Sequence, residues 1–171
     1  MRKEAEKESH QDGQPQERWS AEEVLPFAVN VADYFQNDRK ELVAYLMFNI
    51  AEHYASRGDY EEALGYYNKA LAIHRKVLGS SHSCTANTHH HLAAAYQALG
   101  QLTNATEHYT RALAIKKKTL EKNHPFIVDA CHSLAVVLEA QGNMEKAQHY
   151  YDTAKTICER IFGKEGGEES P

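Results

Sequence analysis

Residues 58–73 read GDYEEALGYYNKALAI, and the same framework returns as GQLTNATEHYTRALAI at residues 100–115 and as GNMEKAQHYYDTAKTI at residues 142–157. Glycine, alanine, tyrosine, alanine and isoleucine keep fixed offsets in all three copies, which lie 42 residues apart. Aligning residues 43–84 with residues 85–126 gives 13 identities in 42 positions, and aligning 85–126 with 127–168 gives nine. A sequence that repeats itself at this interval predicts an array of similar, stacked units.

Each unit predicts two helices around one glycine. The residues before the first glycine recur at steps of three and four, as in a helix with one apolar face: Met47, Ile50, Ala51 and Tyr54. Gly58 can end that helix in the left-handed conformation without a Cβ clash. Asp59 with Glu62 three residues later predicts a capping box at the start of the second helix. A pair of helices this short cannot bury its apolar faces alone, so neighbouring pairs must stack.

The rest of the chain divides around this array. A half repeat before the first full unit is expected to form an N-terminal capping helix, with Pro26 as an alternative start for it. The first and last residues are polar and are expected to be disordered. The predicted segments are a polar tail at 1–18, a capping helix at 19–37, repeats at 43–84, 85–126 and 127–163, and an acidic tail at 164–171.

Composition excludes several classes of protein. The chain is 42% apolar and 25% charged and has no apolar run long enough to cross a membrane. Its net charge of −5 and lack of a basic stripe argue against a nucleic-acid partner. Three cysteines without CxxC spacing fit a reducing compartment, so a cytoplasmic location is expected. No catalytic motif is present, and the chain is predicted to be neither an enzyme nor dependent on a cofactor.

The pattern of glycine, alanine and tyrosine resembles the tetratricopeptide repeat. The 42-residue period and the segments ALAIHRKVLGSSH (residues 70–82) and ALAIKKKTLEKNHP (residues 112–125) resemble the kinesin light chain type of that family. The resemblance implies an all-α, right-handed solenoid of helix-turn-helix repeats. It also implies a non-enzymatic adaptor in a cytoskeletal, motor-transport or ciliary complex.

In this family the first helix of each unit lines a concave groove that binds a peptide segment of a partner protein. The groove positions carried over to this chain are Tyr45, Phe48, Asn49, Glu52, Asn87, His90, His91, Gln97, Asp129, His132, Ser133 and Glu139. None is lysine or arginine, which argues against adaptors that grip a C-terminal carboxylate. The carboxylates of Glu52, Asp129 and Glu139 favour a peptide with a basic residue and an apolar anchor. The alternative is that these positions form only a solvated inner face.

Other features lead to simpler predictions. Consecutive histidines at 89–91 diverge by about 100° on a helix, so no metal site is predicted. Arg111 and the lysines at 116–118 are expected to form a solvated face, and Cys131 is expected to be buried. Ile161 and Phe162 remain as apolar residues at the C-terminal edge. They carry the alternative function, a structural module that self-assembles through its terminal helices.

Overall fold

The structure, a computed structural model, describes residues 39–163. The predicted capping helix at 19–37 and the tails at 1–18 and 164–171 lie outside these residues. Between residues 39 and 163 the chain forms six α-helices and no β-strand. The helices are α1 (Lys40–Arg57), α2 (Tyr60–Val77), α3 (Ser83–Ala98), α4 (Leu102–Thr119), α5 (Pro125–Ala140) and α6 (Met144–Phe162).

The helices stack in chain order. α1 packs against α2, α3 against α4 and α5 against α6, and these pairs join through α2 with α3 and α4 with α5. The short connections make consecutive helices antiparallel. Each unit therefore contacts only its neighbours along the chain, as in a repeat solenoid. The predicted all-α repeat fold is confirmed.

A glycine ends the first helix of every unit, as its spacing predicts. Gly58, Gly100 and Gly142 have φ angles of 87°, 72° and 78°, a left-handed conformation that other residues adopt only with strain. The amide of each glycine donates to the carbonyl three residues back, and the next amide donates to the carbonyl five residues back, such as Asp59 to Tyr54 at 3.0 Å. These are the two bonds of a Schellman motif. The glycines therefore turn the chain by satisfying the last carbonyls of α1, α3 and α5.

The capping box predicted for the second helix is wrong. Asp59 precedes α2, but its side chain makes no capping hydrogen bond. Its carboxylate instead lies 3.4 Å from the Nε of Arg57. The ion pair turns the carboxylate away from the backbone amides at the start of α2.

Two histidines cap the first helices. His82 Nδ1 accepts from the amide of Cys84, and His124 Nδ1 accepts from the amide of Phe126, each at 3.2 Å. The two histidines lie 42 residues apart in the loops between units. Because helix amides in the first turn lack intrahelical partners, each bond anchors the entry of the chain into a new unit.

Replacing His124 with alanine should remove this cap from α5. We expect the free energy of unfolding to fall by about 1 kcal/mol, the usual cost of losing an N-cap side chain. Urea denaturation at pH 7 measures the change. Gln101→Ala is the matched control, since Gln101 occupies the same position before α4 but makes no capping bond to the backbone. Equal losses in the two variants would contradict the role given to His124.

The core lies between the two helices of each unit and continues between units. Small residues mark the close approaches, and the alanines at 63, 70, 105 and 112 are completely buried. Cys131 is also completely buried, as predicted. Lys116 departs from its prediction: it belongs to the basic stretch expected in solvent, yet it is buried. It points between α4 and α5, where its ammonium lies 3.8 Å from the carboxylate of Asp129.

Candidate functional site

The twelve predicted groove residues occupy the first helices, four each on α1, α3 and α5. None of them is buried; each is exposed or partly exposed. They do not form an even polar surface, because many are tied to one another or to the second helices. Three clusters of contacts organise them, one at each level of the stack.

The first cluster, which we call the Glu52 cluster, joins α1, α2 and α3. Glu52 Oε1 lies 2.7 Å from His91 Nδ1 and also accepts a hydrogen bond from the hydroxyl of Tyr67. Phe48 meets His91 edge to face, with ring centroids 5.0 Å apart. Phe48 also meets Tyr67 edge to face at 5.6 Å. A single carboxylate oxygen therefore links the first unit to the second, beside a partly buried aromatic ring.

The second cluster, the Asp129 cluster, joins α3, α4 and α5. Asp129 Oδ2 lies 3.7 Å from His90 Nε2 and 3.8 Å from Lys116 Nζ. The His90 ring packs against Tyr109 with centroids 5.1 Å apart. Lys116 also lies over the ring of Phe126, 5.5 Å from its centroid. The carboxylate of Asp129 therefore forms the polar contact between the second and third units.

The third cluster lies within the last unit. The hydroxyl of Tyr151 donates to Glu139 Oε2 at 2.7 Å, and the ring of His132 lies 5.7 Å from that of Tyr151. The equivalent bond one unit earlier runs from the Tyr109 hydroxyl to Gln97 Oε1 at 3.2 Å. Glutamine and glutamate thus serve as equivalent acceptors. The first unit has alanine at the corresponding position 55, and its tyrosine turns to Glu52 instead.

Burial and hydrogen bonding set the charge states of these groups. Burial opposes ionisation of Glu52, but the hydrogen bonds from His91 and Tyr67 outweigh it and lower the pKa of its carboxyl. Burial raises the pKa of Tyr109 to about 12, so its hydroxyl keeps its proton. Burial lowers the pKa of His90 to about 4, against the favourable charge of Asp129. The pKa of Lys116 is lowered by burial as well. Near neutral pH, His90 is therefore an uncharged ring within the Asp129 cluster.

The remaining predicted residues are less connected. Asn49 donates to the carbonyl of Tyr45 on its own helix at 3.0 Å, and Ser133 is partly exposed on α5. Asn87 is exposed on α3. Tyr45 is exposed as well, so it is available as an apolar contact on α1.

Sequence reasoning missed the contribution of the second helices. The hydroxyls of Tyr67, Tyr109 and Tyr151 hold Glu52, Gln97 and Glu139 in place. The signal was present in the 42-residue spacing of the tyrosines, since a buried tyrosine needs a partner for its hydroxyl. Lys116 gave no comparable signal, because it stands among other lysines.

A pair of histidines lies apart from these clusters, between α3 and α4. His89 Nδ1 and His108 Nδ1 are 3.0 Å apart. A contact of this length requires one ring to donate and the other to accept, so the accepting ring is neutral. Burial lowers the pKa of His89 to about 4 and also lowers the pKa of His108. Within residues 39–163 there is no group of three or more side chains suited to hold a metal ion.

Three helix pairs, each closed by a left-handed glycine and joined through polar clusters on the first helices, define an α-helical repeat protein. The chain belongs to the tetratricopeptide repeat family, whose models match residues 42–125 and residues 127–171. Members of this family commonly mediate protein–protein interaction and are generally non-enzymatic scaffolds. No helix in the described part of the chain is long and apolar enough to cross a membrane.

Solved structures agree with this family. The chain is similar to BtubC (BKLC) from P. vanneervenii, with a TM-score of 0.75 and 23% identity over 88% of this chain and 60% of that one. It is similar to a putative kinesin light chain with nearly identical TPR-like repeats from Podosopora anserina, with a TM-score of 0.67 and 29% identity over 82% of this chain and 68% of that one. The apo form of RapI matches at a TM-score of 0.71 and 22% identity, over 80% of this chain and 37% of that one. No curated protein matches the sequence significantly.

Proposed function

We propose that this protein is a non-enzymatic adaptor that binds a peptide segment of a partner protein along α1, α3 and α5. The observation that carries the proposal is the arrangement of the three clusters. They place carboxylates, imidazoles and aromatic rings on the first helices and fix them through the second helices. Side chains held in place before binding lose little conformational entropy when a ligand arrives.

The preferred segment carries a basic residue and an apolar anchor. Glu52, Asp129 and Glu139 each use one carboxylate oxygen for contacts within the protein. Their second oxygens have no donor within residues 39–163 and can accept from a lysine or arginine of the peptide. Exposed Tyr45 and partly exposed Phe48 offer the apolar contact nearby.

The cellular context of the adaptor is part of the same proposal. The putative kinesin light chain among the similar structures supports a place in a cytoskeletal or motor-transport complex of the cytoplasm. The chain spans only 60% of BtubC. The proposed role therefore concerns only the repeats described, and not the other parts of a longer protein.

Peptide binding tests the proposal directly. Two peptide libraries of equal length and hydrophobicity, one with fixed lysine and one with fixed glutamate, would be compared by fluorescence anisotropy. We expect the basic library to bind at least about tenfold more tightly at low salt and to lose much of this preference at high salt. Equal affinity for the two libraries would refute the preference for a basic residue. No binding by either library would refute peptide binding along α1, α3 and α5.

A pair of variants separates the groove from general electrostatics. Glu52→Gln with Glu139→Gln neutralises two groove carboxylates, whereas Glu61→Gln with Glu145→Gln neutralises two exposed carboxylates on the second helices. Both pairs change the net charge by two. Only the groove pair should abolish the preference for basic peptides.

The alternative function, self-assembly through terminal helices, has one observation in its favour. Phe162 ends α6 with 67% of its surface exposed. The surrounding surface also includes Asp129, His132 and Tyr151, which belong to the second and third clusters.

A further inference from the structure

The C-terminal end of the stack carries an open apolar cleft of about 510 Å³. It lies between α5 and α6, and apolar residues dominate its walls: Val128, Tyr151, Ala154, Cys158, Ile161 and Phe162. Ile161 is partly exposed, and Phe162 stands at the rim. Such a surface is costly to leave in water, since apolar area contributes about 25 cal/mol per Å² when it is buried.

The corresponding surfaces of the first and second units are both covered by the next helix of the stack. Ala70 and Ala112, which correspond to Ala154, are completely buried because α3 packs on α2 and α5 packs on α4. Leu113, which corresponds to Lys155, is also buried there. The cleft is therefore a repeat of a known internal interface, and its geometry suits a helix that runs antiparallel to α6.

The segment that directly follows α6 does not supply an occupant. Residues 164–171, which follow α6, contain no large apolar side chain. Head-to-tail stacking is also disfavoured, because most of the α1 face that corresponds to the one used by α3 and α5 is already covered; Leu46 is only partly exposed. Val43, Met47 and Ile50 correspond to that face, and all three are already buried.

We infer that α6 of a second copy fills this cleft and forms a twofold dimer through the C-terminal units. A twofold axis places the two α6 helices antiparallel, as the internal interfaces require. With the axis near Cys158, Phe162 of each copy packs over Ala154 of the other. Lys155 then comes within reach of Glu159 of the second copy, so opposite charges meet.

Lys155 supports a self-complementary interface. It replaces the leucine found at positions 71 and 113, and its ammonium is exposed and lies 4.0 Å from Glu159 on the same helix. A lysine at the edge of an apolar cleft favours a partner surface that carries an acidic group. Glu159 supplies that group when the partner is another copy of α6.

Sedimentation velocity over about 5–300 µM tests the dimer. The unchanged chain should show a rising dimer fraction, and Phe162→Glu should raise the dimer dissociation constant at least about tenfold because it buries a charge in the interface. Met144→Glu is the matched control, since Met144 is 62% exposed on the same helix but outside the cleft. Circular dichroism checks that both variants fold.

Two further measurements define the geometry. Lys155→Glu should weaken the dimer, and adding Glu159→Lys should restore it. A short bismaleimide should link two copies through Cys158 in a Cys84→Ser background, where Cys131 is buried. A monomer throughout the concentration range would overturn the inference, as would equal effects of Phe162→Glu and Met144→Glu or a failure to link through Cys158. The groove variant Glu52→Gln should leave the dimer unchanged, because Glu52 does not line the cleft, so the two proposals can fail separately.

Discussion

Leu134→Ala is expected to lower the free energy of unfolding by about 3 kcal/mol, within the range observed for buried leucines that leave a cavity. Leu134 is almost completely buried, in a core cluster shared by the second and third units. Since consecutive helices support one another in a repeat array, the loss should appear both in urea denaturation and as faster amide exchange in α5 and α6.

The control for this prediction is Val136→Ala. Val136 lies on the same helix but is only partly buried. Its replacement should cost less than about 1 kcal/mol, since it gives up less contact area. A loss for Leu134→Ala no larger than that of Val136→Ala would show that the third unit does not depend on this core.

Acidification from pH 7 to pH 5 is expected to destabilise the protein by about 3 kcal/mol through His89 and His90 together. Burial lowers the pKa of each to about 4 in the folded state, below the ordinary value of 6.5. Between pH 6.5 and pH 4, His89 and His90 therefore bind protons in the unfolded chain but remain largely unprotonated in the folded chain. Stability is retained above pH 6.5 and is lost as the pH falls through this window. Urea denaturation at several pH values measures the slope.

A pair of variants on α3 separates this effect from general destabilisation. His89→Gln removes one of the histidines whose pKa is lowered in the folded state and should reduce the slope near pH 5. Leu92→Ala, at a fully buried position of the same helix, should lower stability equally at every pH and leave the slope unchanged. An unchanged slope in His89→Gln would contradict the assignment.

The helix pairs were predictable because their signals are local. A glycine needed for a left-handed turn, alanines at close approaches and apolar residues at helical steps each constrain a few neighbouring residues. Gly58, Gly100 and Gly142 therefore mark the helix ends correctly. The choice of groove positions remains a prediction, since it came from the resemblance to a family.

Individual partners were less predictable because several side chains compete for the same hydrogen-bonding or charged group. Asp59 stands at the sequence position of a helix cap, but its carboxylate forms an ion pair with Arg57. Glu52 was predicted to be a groove carboxylate, but one of its oxygens contacts the Tyr67 hydroxyl and the His91 ring. Such competition involves residues up to 39 positions apart in sequence, and no local pattern reports it.

The sequence by itself determined the repeat length, the helix pairs, the turn positions and the stacking of units, since a 42-residue pattern of apolar and small residues can bury its surface in few other ways. Only the tertiary structure decided the charge and burial of particular side chains. Lys116 is buried against Asp129, while Lys117 and Lys118 beside it are exposed, because the packing of α5 on α4 covers one face of that helix. Burial is a property of the assembled stack, and it sets the pKa values and contacts of the groove.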